Sequence, residues 1–188
     1  MKIIILGAGQ VGGTVAANLT SEDNDITVVD RDAGILQALQ DRLDLRTIAG
    51  NATYPEVLER AGAADADMVI AVTDSDEANM VACQVAATLF HTPTKIARVR
   101  HQSYLEPMWR SLFSREHLPI DVIISPEVAV AEAALRRLQV PGTLDVIPMA
   151  EGKVRLIGVR CDQYCPLINT PLRQLTVLFP DLNVVIVG

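Results

Sequence analysis

Lys2-Ile3-Ile4-Ile5-Leu6 runs straight into Gly7-Ala8-Gly9-Gln10-Val11-Gly12, and a helical pattern follows. A short apolar run ending on G-x-G-x-x-G is the turn from strand to helix of a βαβ unit. Each glycine has its own task. Gly7 permits the tight turn, Gly9 lets a pyrophosphate approach the backbone, and Gly12 lets the helix pack close to the strand. The helix N-terminus then offers unpaired N–H groups to an anion. The second half of the fingerprint is also present. Residues 26–29 read as a second strand that ends on Asp30, 18 residues after Gly12. A carboxylate at that tip accepts hydrogen bonds from the ribose hydroxyls of an adenosine.

Strands and helices alternate from there. Helical stripes are expected at Val11, Val15, Ala16 and Leu19, and at Ile35, Leu36, Leu39 and Leu43 behind an Asp32 cap. A third strand at 46–49 leads into Gly50-Asn51-Ala52-Thr53, and Thr53 with Glu56 reads as a capping box. Gly62 suits a helix stop. Residues 68–72 are apolar throughout, as a strand covered on both faces should be. The next helix opens at residues 73–77, with Met80, Cys83, Val85, Ala86, Leu89 and Phe90 expected inside. Strand five spans 95–100, a helix starts near Ser103 and Glu106, and strand six spans 121–124. Ser125-Pro126 then begins a helix over 126–139. The expected fold is α/β: a doubly wound, parallel, six-stranded Rossmann sheet over 1–140, with a small α+β C-terminal lobe over 143–188.

The first half of the 126–139 helix is apolar nearly all round. Its second face calls for either a second subunit or a deep core position. After Val140-Pro141-Gly142, residues 144–149 and 153–160 read as a hairpin around Glu151-Gly152. Thr170-Pro171 starts a short helix, and 183–187 form a last strand. The lobe is short for an independent domain, and is expected to be incomplete or completed by another chain.

Bulk properties narrow the partners. Net charge is −7 and aromatics are 4% of 188 residues, which argues against nucleic acid and against an anionic lipid surface. No apolar run approaches the roughly 20 residues of a membrane span. Cys83, Cys161 and Cys165 make no disulfide framework, which fits the reducing cytoplasm. Cys161 and Cys165 alone make a poor zinc site.

In such a sheet the ligand lies across the carboxyl ends of the strands. The residues expected there are Gly7, Gly9, Gln10, Val11 and Gly12, then Asp30 and Arg31, Asn51 and Ala52, Thr73 and Asp74, and Arg98 and Arg100. Asp30 repels a 2′-phosphate and so favours NAD, NADH, ADP or ATP over NADP. Arg31 is open to three roles: greeting a 2′-phosphate, stacking on adenine, or lying solvated. Arg98 and Arg100, two apart on a strand, point to one side. They either share an anion, a phosphate or a carboxylate such as Glu127, or take separate acidic partners. A dehydrogenase would also need a substrate surface and an acid–base group. Of His91, His101 and His117, only His101 is near the right sheet edge, and it reads as a solvated loop residue. An NAD-dependent oxidoreductase domain cut from its substrate domain is therefore the alternative.

The ordered set Ile3–Gly12, Val28-Val29-Asp30, Gly50-Asn51-Ala52-Thr53, Ala71-Val72-Thr73 and Asp76-Glu77-Ala78-Asn79-Met80 closely resembles the potassium-uptake regulators of the KTN/RCK family. Ala97-Arg98-Val99-Arg100, Ile124-Ser125-Pro126-Glu127 and Cys165-Pro166-Leu167 extend the resemblance. It implies a nucleotide-binding regulatory subunit, not an enzyme, that binds NAD/NADH or ATP/ADP. It implies self-association into a cytoplasmic ring at the inner face of the cell membrane, beneath a potassium transporter subunit whose opening the ring controls. One branch of the family carries two such units in tandem, and this chain matches the first. Some relatives have an Arg where Gln10 stands and use it to favour ATP, so the Gln leaves that preference open. In some, an acid matching Glu127 helps to hold a cation near the phosphates.

Overall fold

Five strands and four helices alternate up to residue 98, and a sixth strand and fifth helix follow. They are β1 (Lys2–Leu6), α1 (Gln10–Thr20), β2 (Asp25–Asp30), α2 (Ala33–Gln40), β3 (Arg46–Ala49), α3 (Pro55–Arg60), β4 (Met68–Ala71), α4 (Asp76–Phe90), β5 (Thr94–Arg98), β6 (Val122–Ile124) and α5 (Pro126–Gln139). The structure is a computed structural model that describes residues 1–139, 143–150, 153–160, 163, 168, 171 and 174. The strands form one parallel sheet in the order β3-β2-β1-β4-β5-β6. The chain runs outward from β1 to β3, then returns to the other side of β1. That reversal opens a crevice at the carboxyl ends of β1 and β4.

β1 shows why the strands are apolar without interruption. Ile4 and Leu6 join a core that holds Val57 and Leu58 of α3 and Met80, Cys83 and Ala86 of α4. Ile3 and Ile5 join the opposite core, with Ala16 of α1 and Leu36 and Leu39 of α2. Side chains alternate across the pleat, and helices cover both faces, so Ile3 through Leu6 are all buried.

Several local expectations change. Ile35 is exposed rather than core-facing, and so is Leu89. Thr53 does not cap α3: its N–H and hydroxyl both donate to Asn51 Oδ1, at 3.1 and 3.0 Å. The cap falls on Tyr54, with Pro55 as the first helical residue. Gly62, at φ +90°, stops the segment as expected. The helix expected near Ser103 is instead two 3-10 stretches, Gln102–Leu105 and Pro107–Phe113. Pro107 holds Glu106 extended (ψ 138°) and so interrupts the helical path. β5 stops at Arg98, two residues short of the expected end.

The chain divides into two compact units, Met1–Val128 and Ala129–Gly188. In the second, β7 (Thr143–Met149) and β8 (Val154–Val159) pair antiparallel, as the hairpin pattern predicts. Glu151-Gly152, Cys161, Cys165, Thr170 and the strand at 183–187 lie outside the described residues.

Candidate functional site

A cleft of about 460 Å³ lies at the carboxyl ends of the strands. Gly7, Gly9, Gln10, Val11, Asp30, Arg31, Asn51, Ala52, Thr73, Asp74 and Arg98 line it. The sequence named all of these. Gly12 and Arg100 are not among the lining residues, whereas Val29, Ile35, Gly50, Val72 and Ala78 are. The periodicity of α2 placed Ile35 in its apolar stripe, and only the three-dimensional turn of the helix start shows it facing the cleft.

The glycine loop divides its work as the motif implies. Gly7 sits at φ +103°, and a Cβ there would lie 2.9 Å from the Thr73 backbone nitrogen. A Cβ on Gly12 would overlap the Gly7 carbonyl oxygen, so this glycine sets how closely α1 packs. Gly9 is different: a Cβ there would meet nothing within 4 Å. The protein's own packing does not demand a glycine at this point, whereas a ligand pressed against the loop would. Gly9 N-caps α1 without a side-chain acceptor, so no side chain answers the first-turn N–H groups from the cap.

Asp30 stands opposite. Its Oδ2 accepts from Ala8 N at 2.7 Å and its Oδ1 from Asp32 N at 2.9 Å. These bonds tie the β2 tip to the glycine loop and fix the carboxylate. Each oxygen takes one N–H here, and a carboxylate has room for about four hydrogen bonds. The remainder matches a ribose diol.

The two arginines do not act together. β5 ends at Arg98, so the same-side rule for alternate residues stops there. Arg98 stays in the cleft wall, with its Nη2 3.7 Å from Glu127 Oε1 and its buried Nε without a partner. Arg100 turns to Asp76, Nε to Oδ1 at 3.4 Å, and also donates to the Asp74 carbonyl. Separate acidic partners are thus the outcome. Asp76 is buried; burial by itself would raise its pKa, but N–H bonds from His101 and Arg100 and the Arg100 guanidinium outweigh it and hold the carboxyl below its ordinary value.

Thr73 lines the cleft, yet its N–H and hydroxyl donate to Asn79 Oδ1 at 2.9 and 2.7 Å. It therefore shapes the wall rather than presenting donors. Asn79 is fully buried, a feature that a polar residue near a helix start does not reveal in sequence.

For a cation the donor set does not fit. Among the described residues no three His, Cys, Asp or Glu side chains stand together, and the group beside Glu127 is the Arg98 guanidinium. For a nucleotide it fits: an open glycine approach, a fixed carboxylate and an incompletely paired arginine share one cleft. His101 lies outside the cleft, edge-on to Tyr104 with ring centroids 6.1 Å apart. A second crevice of about 390 Å³, lined by Tyr104, Trp109, Leu112 and His117 among others, has no phosphate loop.

Comparison with known proteins agrees with this geometry. The TrkA-N domain family model matches residues 3–126. The chain is 54% identical over 188 residues to the Trk system potassium uptake protein TrkA of Azorhizobium caulinodans, covering 100% of this chain and 41% of that protein. It thus spans about two-fifths of that relative's length. In fold it is similar to the TrkA-N domain of the Escherichia coli inner membrane protein ybaL, with TM-score 0.62 and 20% identity over 73% of this chain and 96% of that one. It is likewise similar to the GsuK channel bound to NAD, with TM-score 0.57 and 21% identity over 71% of this chain and 23% of that one. The kinship indicated by the sequence motifs holds: the chain belongs to the TrkA-N domain family.

Proposed function

We propose that residues 1–140 form a nucleotide-sensing domain that regulates potassium uptake and performs no catalysis, and that residues 143–188 begin a C-terminal lobe. NAD/NADH or ATP/ADP lies across Gly7–Gly12, its ribose on Asp30, with Asn51, Ala52, Thr73 and Asp74 along the wall. Arg98 faces the phosphates. Arg31, exposed at the cleft rim, covers the adenine. One observation carries this: Gly9 leaves open space exactly where no protein atom needs it, beside a carboxylate held by the glycine loop itself. The NAD held by the GsuK channel, whose RCK-type fold this chain shares, supports the ligand class.

The partner is a membrane potassium transporter subunit, as the name of the 54%-identical relative supports. The domain works in a ring of self-associated copies at the inner face of the membrane. No helix among the described residues is long and apolar enough to cross a membrane. Nucleotide shifts the ring between two shapes by its differential affinity for them. A 100-fold preference moves that balance by about 2.7 kcal/mol per site.

Calorimetric titration of NAD, NADH, NADP, ADP and ATP, with Asp30→Ala as control, tests the ligand. The unaltered protein binds at least one of the four molecules that lack a 2′-phosphate, and binds NADP more weakly. Asp30→Ala lowers affinity by about 10- to 100-fold, the worth of a charge-assisted hydrogen bond. Binding of NADP alone, or of none, would sink the proposal. Oxidation of NADH by a simple carbonyl compound would establish the oxidoreductase instead.

A further inference from the structure

Beyond the last β4–β5 pair, Ala71 with Ala97, the two strands are no longer joined by the ladder. Their tips nevertheless form one wall of the cleft, through Thr73 and Arg98. What joins them is a side chain. Asn79 Oδ1 accepts from Thr73 N at 2.9 Å and from Thr73 Oγ1 at 2.7 Å. Asn79 Nδ2 donates to the Arg98 carbonyl at 2.9 Å and to the Thr73 carbonyl at 3.4 Å. An amide side chain has two acceptor positions and two N–H groups, and all four are used. Asn79 itself is 0% exposed. A fully satisfied polar group in a buried site defines one geometry, because any shift leaves a donor or acceptor unpaired. Its backbone is anchored too, at the N-terminal turn of α4, where Ser75 caps through Ala78 N at 3.1 Å. Asp76, one turn away, holds the N–H groups of Arg100 and His101 at 2.9 and 2.8 Å. The first turn of α4 therefore clasps the chain at the Arg98 carbonyl and at the N–H groups of Arg100 and His101 that follow it.

We infer that Asn79 is a positioning residue for the proposed nucleotide site: it sets the distance between the β4 and β5 tips and so places Arg98 for the part of the ligand beyond the first phosphate. The inference rests on the nucleotide proposal above. It separates two regions of the cleft. Asp30 and the glycine loop form the β1–β2 side, to which Asn79 makes no hydrogen bond. Thr73 and Arg98 lie on the β4–β5 side, which it fixes. Adenosine monophosphate needs only the first region. A dinucleotide crosses into the second. Asn79 thus governs recognition of extended nucleotides and leaves the adenylate half alone.

The substitution Asn79→Asp tests this with little change of shape. Its carboxylate still accepts from Thr73 but cannot donate to the Arg98 carbonyl. Titrations of AMP and NAD are followed by NMR, which reads weak and tight binding alike. The expected result is a loss of about tenfold or more in NAD affinity, the effect of a broken buried hydrogen bond, with AMP affinity unchanged within about twofold. Burial disfavours the charged form of the new carboxyl, so lowering the pH from about 8 to about 6 protonates it, restores a donor and recovers NAD binding relative to the unaltered protein. Should the variant not fold, the side-chain amide of Asn79 in the unaltered protein serves: its resonances shift with NAD and stay in place with AMP. Equal losses for AMP and NAD, no loss for either, or an Asn79 amide unmoved by NAD would each overturn the inference. Failure of the unaltered protein to bind either molecule would instead defeat the nucleotide proposal beneath it.

Discussion

Gly9 and Gly12 stand three residues apart in one motif, yet opposite demands act on them. Gly12 is required by the fold, because a Cβ would run into the Gly7 carbonyl. Gly9 has free space around its missing side chain and a φ of −63° that any residue adopts. Gly12→Ala should therefore destabilise the protein by about 1–3 kcal/mol, the usual cost of overpacking, or prevent folding outright. Gly9→Ala should leave the urea midpoint nearly unchanged and weaken nucleotide binding by about tenfold or more, because the methyl group holds the phosphate off the N–H groups and forfeits hydrogen bonds of the charge-assisted kind. Paired denaturation and binding measurements check both. A Gly9→Ala variant that binds as tightly as the parent would mean that no phosphate touches the loop.

At the scale of elements, the first turn of α4 organises the end of β5, and its chemistry sets a pH dependence. Asp76 has a folded-state pKa below its ordinary value: burial opposes this, and the N–H bonds from His101 and Arg100 and the guanidinium of Arg100 prevail. A carboxyl of that kind stabilises the fold fully above the unfolded value of about 4 and loses this contribution as pH falls through the lower, folded value. Asp76→Asn should cost about 2 kcal/mol near neutral pH, because charge-assisted bonds are lost, and the difference from the parent should shrink at about pH 3. Urea titrations at the two pH values measure it; a constant difference would show that charge is irrelevant. Asp121 carries a shift of the same direction, burial again opposed and outweighed by Lys95, whose buried Nζ lies 2.8 Å from its Oδ2. The acid limb therefore persists in the variant, and only the difference isolates Asp76. The six-stranded parallel sheet was legible in the sequence because short apolar runs alternate with helical stripes, as at β1, closed by Gly7, and β2, closed by Asp30; the strand order is read from the fold. The cleft's near side was legible for the same reason: Gly7, Gly9 and Asp30 sit where a strand must turn. The far side was less so. Spacing puts Arg98 and Arg100 together only if β5 continues, and it stops. The helix expected after residue 103 fails at Pro107, whose effect on Glu106 outranks the capping pattern. Asn79 escapes notice since only the folded chain brings the Arg98 carbonyl, 19 residues away, to its amide.

For the whole molecule, the question is what α5 is for. It starts at the end of β6 and carries Glu127, which reaches Arg98 in the proposed nucleotide site. Further along, Val130 is 68% exposed and Leu138 76% exposed, and Leu135 is exposed as well. Apolar side chains in water at successive turns of one helix are unfavourable, and burying each in a second copy would contribute about 1.5–3 kcal/mol. Val130 and Leu138 are both exposed, so replacing them should spare the fold. On the proposed function the helix would link the site to the contact between copies, its first turn reading Arg98 through Glu127 and its later turns meeting a neighbour. Sedimentation should show the parent protein self-associated at micromolar concentration. The double variant Val130→Glu, Leu138→Glu should be largely monomeric, with an unchanged circular dichroism spectrum and unchanged NAD affinity per chain. Adding NAD should alter the parent's sedimentation or scattering profile and not that of the double variant, because a ligand can bias only an assembly that has two shapes to choose between. A parent protein that stays monomeric at all concentrations, or a double variant that assembles and responds like the parent, would separate α5 from assembly and remove the route by which the cleft could act on a transporter.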